Sequence, residues 1–264
     1  MIENILGTLR TALCIILTFF IALSASISGL FFGGQRAWEF WREAWGKTIL
    51  FFLGVKMQIN GKENLKGPAV FIMNHESLID IFTIAAITPL KTTFVSKKEV
   101  ARFPFVGTIM RMGGCIFIDR SNSRSAVESI KEGVKERREN YSIIVFPEGT
   151  RSNAKQGLKP FKKGCMHIAM EAGIPIIPIG QNGARTHASG KSIVLKKGSP
   201  IYFEIGKPIS TNMWNLENTE KQMQFLREEV KSLIAKAKAK REKALKDQGS
   251  EDHFKNDNFS TKAL

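Results

Sequence analysis

The sequence predicts an α/β protein: a single domain with a central, mostly parallel or mixed sheet flanked by helices, preceded by an N-terminal two-helix membrane anchor. Three observations carry this prediction. A long uncharged run opens the chain, short β-branched or aromatic runs then alternate with helical patterns, and a basic helical pattern follows. The expected organisation is an anchor over residues 1–53, an α/β domain ending in a basic helix over residues 54–246, and a disordered polar tail over residues 247–264.

The anchor is predicted from the uncharged run Thr11–Gly34, which would extend for about 36 Å as a helix and so could cross a bilayer. Tryptophans follow among charged residues, at positions Trp38, Trp41 and Trp45. That pattern is typical of a helix at the lipid headgroup boundary. We therefore expect one membrane helix and one interfacial or re-entrant helix joined at Gly33-Gly34. The serines and glycines in the second half of the run favour a dip into the membrane over a full span.

The α/β domain is predicted from eight short runs rich in β-branched and aromatic residues. They are Val55–Asn60, Ala69–Met73, Thr92–Ser96, Gly114–Ile118, Ser142–Phe146, Ile174–Ile179, Ser192–Leu195 and Ile201–Ile205. Helices are expected over about Ser123–Glu139, over about Lys163–Ala172 before Gly173, and from about Leu216. Two prolines, Pro175 and Pro178, predict that their strand is at an edge or bulged, because proline lacks the N–H that a ladder needs.

The net charge and the cysteines limit the possible classes of binding partner but do not identify one. The net charge of +15 indicates an anionic partner, but it does not choose among nucleic acid, anionic lipid and phosphorylated substrates. The three cysteines include no Cys-x-x-Cys pair and no zinc spacing, so we expect buried thiols in a reducing compartment and no metal site. A cleaved signal peptide is the alternative for the N-terminus, but cleavage would leave the tryptophan-rich segment without its partner.

The first chemical candidate is a histidine and an aspartate directly after the apolar run Ala69–Met73. His75 suits a general base, and Asp80 could accept the other imidazole N–H and fix the tautomer. Five helical steps rotate the chain by about 140°, so these side chains cannot share one helix face. His75 must therefore precede the helix and Asp80 must lie inside it, with Asn74 or Ser77 capping its start.

The second candidate is the segment Phe146–Ser152, again after an apolar run. Gly149 permits a tight turn, and Arg151 offers a planar fork suited to a phosphomonoester. Glu148 could bind an acceptor hydroxyl or hold Arg151. Two further cations, Lys97 and Arg120, also follow predicted strands.

Four motifs occur in order over about residues 55–210: Asn-His-x4-Asp, a Phe-Pro-x-Val-Gly…Gly-Cys-Ile-Phe-Ile-Asp-Arg block, Phe-Pro-Glu-Gly-Thr-Arg-Ser, and an Ile-Pro-Ile-Ile-Pro strand. Together they resemble the glycerolipid acyltransferases, most closely the members that act on 1-acyl-sn-glycerol 3-phosphate. The two N-terminal segments are similar to the membrane-dipping anchor of bacterial members.

The resemblance implies that His75 deprotonates an acceptor hydroxyl, which attacks the thioester of acyl-CoA or acyl-carrier protein, while Asp80 orients His75. It also assigns residues to the acceptor and its phosphate: Lys97, Arg120, Glu148, Gly149, Thr150 and Arg151. Backbone N–H groups at the start of the following helix are the expected oxyanion donors. No metal or cofactor is expected beyond the thioester co-substrate.

The expected partners are lysophosphatidic acid, the acyl donor and membrane lipid, with no nucleic acid, and the expected product is phosphatidic acid. The expected location is a membrane, with the domain on its cytoplasmic face, as at a bacterial inner membrane. The nearest alternative is a sibling acyltransferase for glycerol 3-phosphate or another lysophospholipid. A basic, membrane-tethered protein that binds lipid or nucleic acid is the remote alternative, and it would not explain the polar residues at strand ends.

Overall fold

In a computed structural model, which describes residues 2–119, 121–135, 140–152, 157–190, 192–215 and 217–260, the chain forms one seven-stranded sheet. The strands are β1 (Met57–Asn60), β2 (Val70–Met73), β3 (Thr92–Lys97), β4 (Ile116–Ile118), β5 (Ser142–Val145), β6 (Ile176–Asn182) and β7 (Ile201–Ile205). Their order is β1-β7-β6-β2-β5-β3-β4. Only the β6–β7 pair is antiparallel among these neighbours, so the expected mixed, mostly parallel sheet is confirmed.

Helices cover both faces of this sheet. They are α1 (Ile2–Phe32), α2 (Gly34–Phe52), α3 (Ile79–Ile87), α4 (Val106–Met112), α5 (Ser123–Lys135), α6 (Gly164–Ala172) and α7 (Thr219–Ser260), with 3-10 turns at Lys62–Asn64, Lys98–Arg102 and Ala184–Thr186. Successive β2 side chains point to opposite faces. Phe71 and Met73 join the core shared with α1–α4, whereas Val70 and Ile72 join the core shared with α5–α7. The predicted α/β class is therefore confirmed. The three cysteines, Cys14, Cys115 and Cys165, are buried and unpaired.

The two N-terminal helices meet at Gly33, where the sequence places their joint. Gly33 has a φ of 87°, a backbone conformation that glycine adopts most readily. Small residues form the inner face of α1: Gly7, Thr11, Cys14, Ala22, Ala25 and Gly29. Among the described residues, α1 is the one helix long and apolar enough to cross a membrane. Its buried positions are spread along its length, so α1 lies against the domain instead of projecting from it.

The tryptophans of α2 pack within the protein: Trp38 is buried, and Trp41 and Trp45 are partly buried. They point inward, toward α1 and the sheet, instead of outward to a headgroup boundary. The indole N–H groups of Trp38, Trp41 and Trp45 donate to Thr92 O (2.8 Å), Ser28 Oγ (2.9 Å) and Thr18 Oγ1 (2.9 Å). A buried indole N–H needs an acceptor, and the 38–41–45 spacing puts all three rings on one helix face. The exposed aromatic residues of α2 are phenylalanines, such as Phe40 and Phe51.

A buried arginine joins α2 to the helix that carries Asp80. Arg42 is only 2% exposed. Its guanidinium donates to the carbonyls that end α3 and begin the next loop: Ala85, Thr88, Pro89 and Leu90. Helix C-termini leave such carbonyls without partners and attract positive charge. Burial lowers the pKa of Arg42 to about 10, so the group stays cationic at neutral pH.

The prediction of a strand at Ser192–Leu195 is wrong. The segment is an irregular loop against α1, where the Leu195 N–H donates to Thr11 Oγ1 at 3.0 Å. The segment has the composition of a strand because it contains two large apolar residues, Leu195, which is buried, and Ile193, which is exposed.

The two prolines do not place their strand at an edge, because β6 lies between β7 and β2. Nor is β6 itself bulged, because the extra residue lies in the neighbouring chain after β7. Ile179 pairs with Ile205 and Ile176 with Ile209, so two residues of β6 face three of the returning chain. Pro178 lies within that irregular stretch, where a missing N–H costs no regular ladder bond.

Helix α7 extends to Ser260, and residues 261–264 lie outside the described part of the chain. Good helix formers such as alanine, lysine, glutamate and leucine are frequent over residues 219–246, whereas residues 247–260 are mostly Asp, Asn, Ser and Gly. Disorder of the polar tail from residue 247 therefore stays a prediction.

We predict that Gly46→Ala destabilises the protein. A Cβ at Gly46 would lie 2.6 Å from Phe82 O and 2.9 Å from Ala86 N, both backbone atoms of α3. The usual helix-propensity gain of about 1 kcal/mol is therefore outweighed by the overlap, and a net loss of ~1–3 kcal/mol is expected in thermal unfolding. Gly164→Ala is the matched control, since its nearest neighbour is the Ile130 side-chain end at 3.3 Å. An unchanged or raised melting temperature for Gly46→Ala would contradict this packing.

Candidate active site

The candidate residues gather at one edge of the sheet. Strands β2 to β6 are mutually parallel, so their carboxyl ends lie side by side. His75 follows β2, the segment Phe146–Ser152 follows β5, and Lys97 ends β3 two positions along. Polar groups at such an edge are held by a rigid scaffold while their tips remain accessible.

His75 and Asp80 form a hydrogen-bonded pair. Nδ1 of His75 lies 2.9 Å from Asp80 Oδ2, and Asp80 is fully buried. Oδ2 also accepts the backbone N–H groups of Glu76 (2.6 Å) and Ser77 (2.9 Å). Because that oxygen acts as an acceptor throughout, Nδ1 carries the proton, and the Nε2 lone pair is left to accept another.

The arrangement agrees with the helical-rotation argument. Helix α3 begins at Ile79, so His75 precedes it and Asp80 lies in its first turn. The expected capping by Asn74 or Ser77 is less simple. Asn74 instead exchanges two hydrogen bonds with the Gln181 backbone, at 3.1 and 2.9 Å. Ser77 Oγ accepts from Ile79 N at 3.3 Å, and Asp80 bonds the preceding N–H groups.

Two backbone N–H groups between His75 and helix α3 are already occupied. The Glu76 and Ser77 N–H groups both bond Asp80 Oδ2 and so orient the carboxylate. An oxyanion role for other N–H groups near the start of α3 stays a prediction.

The main chain of His75 is held on both sides by the segment after β5. Glu148 Oε1 accepts the His75 N–H at 2.8 Å, while the Ser152 N–H donates to the His75 carbonyl at 2.7 Å. The second carboxylate oxygen of Glu148 accepts from Lys159 N at 3.0 Å. Burial raises the pKa of Glu148, and these two N–H donors partly oppose that shift. Glu148 is thus bonded to the backbone that carries His75, not to Arg151.

The imidazole is also fixed by its neighbours. Its ring stacks on Phe146 with a centroid distance of 4.2 Å and an interplanar angle of 22°. Gln181 Nε2 donates to the other carboxylate oxygen of Asp80 at 3.2 Å. Strands β5 and β6 therefore both contribute to the orientation of the pair that follows β2.

Arg185 is a site residue that the motifs do not reveal. Its Nε donates to Glu76 Oε2 at 3.1 Å, and its Nη2 donates to Ser152 Oγ at 2.9 Å. Burial raises the pKa of Glu76, and Arg185 partly offsets this rise. The available signal was positional: Arg185 comes shortly after β6, at the same edge, behind Gly183 with a φ of 117°.

The expected phosphate-binding residues are dispersed. Arg151 is partly buried and donates from Nη1 to Ser192 O at 2.8 Å. Lys97 is exposed and pairs with Glu99 at 3.2 Å. Gly149 has a φ of 67°, and Thr150 is exposed beside it. Arg120 lies outside the described residues.

A cavity of about 280 Å³ opens beside His75. One wall comes from α1 and α2, including Ala22, Trp41 and Trp45, and the opposite wall includes Phe94 and Phe146. The lining is predominantly apolar, as expected of a site for a hydrocarbon chain. The described residues contain no group of three or more potential metal ligands.

Comparison with known proteins agrees with this geometry. The sequence profile of the acyltransferase family matches residues 56–181. This segment of the chain is therefore similar to the acyltransferase family.

Several named proteins are similar to this chain. A 1-acyl-sn-glycerol-3-phosphate acyltransferase of Limnanthes alba is 37% identical over 177 residues, covering 66% of this chain and 62% of the relative. The Saccharomyces cerevisiae protein of the same name is 38% identical, covering 62% of this chain and 55% of the relative. The Haemophilus influenzae protein of that name is 39% identical, covering 49% and 54%. The chain thus spans less than two thirds of the length of these relatives.

A solved structure shares the fold. The crystal structure of the 1-acyl-sn-glycerophosphate (LPA) acyltransferase PlsC from Thermotoga maritima superposes with a TM-score of 0.68. It is 24% identical, and the match covers 88% of this chain and 98% of that one. This likeness shows that the two chains share a fold, over a longer part of this chain than residues 56–181.

We predict that Glu148→Gln lowers both stability and activity. A glutamine amide offers one acceptor oxygen where two backbone N–H groups, of His75 and Lys159, now have one each. One donor loses its partner, at a cost of about 1–3 kcal/mol in thermal unfolding. Glu171→Gln, on the exposed side of α6, is the control and should change neither quantity. Wild-type stability and turnover of Glu148→Gln would show that these bonds do not hold His75.

Proposed function

We propose that this protein transfers a fatty acyl chain from acyl-CoA or acyl-carrier protein to the sn-2 hydroxyl of 1-acyl-sn-glycerol 3-phosphate, giving phosphatidic acid. One observation carries the proposal. The buried His75–Asp80 pair, whose free ring nitrogen is a proton acceptor, adjoins an apolar cavity. A base beside a hydrocarbon site suits acyl transfer to a hydroxyl, and the relatives' names support this acceptor.

The proposed reaction follows from the Nδ1–Asp80 bond. Nε2 of His75 accepts the proton of the acceptor hydroxyl as its oxygen attacks the thioester carbonyl carbon. The imidazolium is stabilised by the Asp80 carboxylate 2.9 Å away. The C–S bond then breaks, and the proton passes from Nε2 to the departing thiolate. The base is thereby regenerated, with no covalent acyl-enzyme, metal or cofactor required, because a thioester is already activated.

The acceptor phosphate is assigned to Arg151, with Lys97 and Arg120 as further cations. Arg151 is the best supported of these, because its segment also holds the His75 main chain. A planar guanidinium binds a phosphomonoester through two parallel hydrogen bonds. Gly149 and Thr150 would border the same acceptor site, while the contacts of Glu148 favour a positioning role.

Membrane attachment is proposed through the outer face of α1 and the ends of α2. Large apolar side chains are exposed there, including Leu9, Ile16, Phe31 and Phe32. The inner face of α1 packs on the domain along its length, which supports embedding in one leaflet and argues against a full span. The thioester donor and the lysolipid then meet at the membrane surface, on the cytoplasmic face where such donors are made.

The catalytic proposal predicts that His75→Ala lowers kcat by about 10²–10⁴-fold, because the general base is lost. Asp80→Asn should also be severe, since an amide favours the wrong imidazole tautomer. Acyl transfer to lysophosphatidic acid would be followed by lipid mass spectrometry with a panel of thioester donors. His167→Ala, on α6 at the opposite sheet face, is the control and should retain activity. Activity of His75→Ala within a few-fold of wild type would refute the mechanism.

The attachment proposal predicts that the protein sediments with membranes and resists both high salt and alkaline carbonate. Salt screens polybasic attraction, but it does not weaken apolar burial. Serine at both Phe31 and Phe32, which are 77% and 70% exposed, should increase release without unfolding the domain. Complete release of the wild-type chain by salt or carbonate would exclude insertion of α1.

A further inference from the structure

The loop of residues 192–195, here called the strap, bonds directly to the anchor helix. The Thr11 hydroxyl, on the buried face of α1, lies 3.1 Å from Ile193 O and 2.9 Å from Gly7 O within the helix, and its single hydrogen is shared between these two acceptors. The same oxygen accepts from Leu195 N at 3.0 Å. One side chain of α1 therefore fixes two backbone groups of the strap.

The first residue of the strap bonds to Arg151. The Ser192 carbonyl accepts from Arg151 Nη1 at 2.8 Å. Among the described residues, no other acceptor bonds this guanidinium, so the remaining donors of its fork can face a ligand. Burial lowers the pKa of Arg151, and the Asp80 carboxylate opposes that shift, so the guanidinium lies within electrostatic range of the catalytic pair.

The strap has little freedom between these two contacts. Its own side chain at Ser192 accepts from Val194 N at 3.0 Å, and the Ser192 N–H donates to Ser189 O at 2.9 Å. Val194 presses on α1 so closely that a Cβ at Gly7 would lie 2.7 Å from Val194 Cγ1. A shift of the strap against α1 would therefore move the Ser192 carbonyl.

We propose that Thr11 is a positioning residue for acceptor binding: it fixes the strap, and the strap's Ser192 carbonyl sets the direction of the Arg151 guanidinium. Thr11 touches neither substrate nor reacting atoms, and it acts on the phosphate only through Arg151. This inference rests on the proposed function, since it requires Arg151 to bind the acceptor phosphate. It also gives α1 a second role, in which the apolar anchor orders part of the polar acceptor site.

The test is a double-mutant cycle between Thr11 and Arg151 in full-length enzyme. Thr11→Val keeps the side-chain shape and removes the hydroxyl. Steady-state kinetics would use lysophosphatidic acid in mixed detergent micelles, so that membrane attachment does not limit the rate. We expect Thr11→Val to raise the acceptor KM about 5–10-fold with kcat within two-fold, as for lost uniform binding. Thr11→Ser should restore the wild-type KM, because it restores the hydroxyl.

Two comparisons make the result specific. Thr8→Val is the matched control one turn earlier, because the Thr8 hydroxyl bonds only Asn4 O within α1 among the described residues. It should leave the acceptor KM unchanged. In an Arg151→Lys background, Thr11→Val should raise the KM less than two-fold further, because the fork it directs is already gone.

The other outcomes would contradict either the positioning role of Thr11 or the assignment of the phosphate to Arg151. An unchanged KM in Thr11→Val, or an equal rise in both Arg151 backgrounds, overturns the positioning role while the proposed function stands. An Arg151→Lys enzyme with unchanged acceptor KM overturns the phosphate assignment itself. If Thr11→Val does not fold, Gly7→Ala is the second test, because its Cβ would displace the strap through Val194. Gly7→Ala should raise the acceptor KM, and adding Val194→Ala should partly reverse that rise. An acceptor KM that Gly7→Ala leaves unchanged, with or without Val194→Ala, also overturns the inference.

Discussion

One carboxylate oxygen, Oδ2 of Asp80, organises the site. It binds Nδ1 of His75 and the N–H groups of Glu76 and Ser77, so the chain from residue 75 to residue 80 folds around it. A buried carboxylate is tolerated only when its lone pairs are well bonded. The same bonds that make Asp80 acceptable in the core therefore fix the tautomer of His75. The hydrogen bonds of Asp80 therefore serve both the stability of the fold and the orientation of His75.

The two N-terminal helices and the α/β domain both contribute to that orientation because they share a core. Arg42 of α2 binds the carbonyls at the far end of α3, the helix whose first turn holds Asp80. Trp38 of α2 donates to the chain at the start of β3. Breaking a buried arginine from several carbonyls would leave both sides without partners, which is costly. The two N-terminal helices therefore act as part of the domain that positions the His75–Asp80 pair.

The sequence predicted most of this fold because its strongest signals are local. Strand composition located the seven strands, and the five-residue spacing required His75 to precede the helix that contains Asp80. The sequence does less well with residues that have two compatible environments. Tryptophan suits a headgroup boundary or a cavity wall equally, and only the positions of Thr18, Ser28 and the Thr92 carbonyl decide between them. Likewise, Ser192–Leu195 has the composition of a strand, but its partner is α1.

Arg185 was missed for a different reason. An arginine behind a strand is ordinarily a surface charge, and nothing in its neighbours identifies Glu76 and Ser152 as partners more than thirty residues away. Its role exists only after β2, β5 and β6 align at one edge. Sequence periodicity cannot predict long-range polar contacts of this kind. It does predict the edge of the sheet at which they form.

Helix α1 shows how one segment meets opposed demands. Its outward positions are large and apolar, and its inward positions are small, so its backbone can approach the domain closely. The helical period separates these two sets without interrupting the sequence. Among the buried positions of α1, Thr11 alone carries a hydroxyl, and that hydroxyl meets the strap. A purely apolar inner face would pack as well, but it could not bond the strap's backbone. The polar atom on this face is therefore best explained by the loop it holds, and through that loop by Arg151.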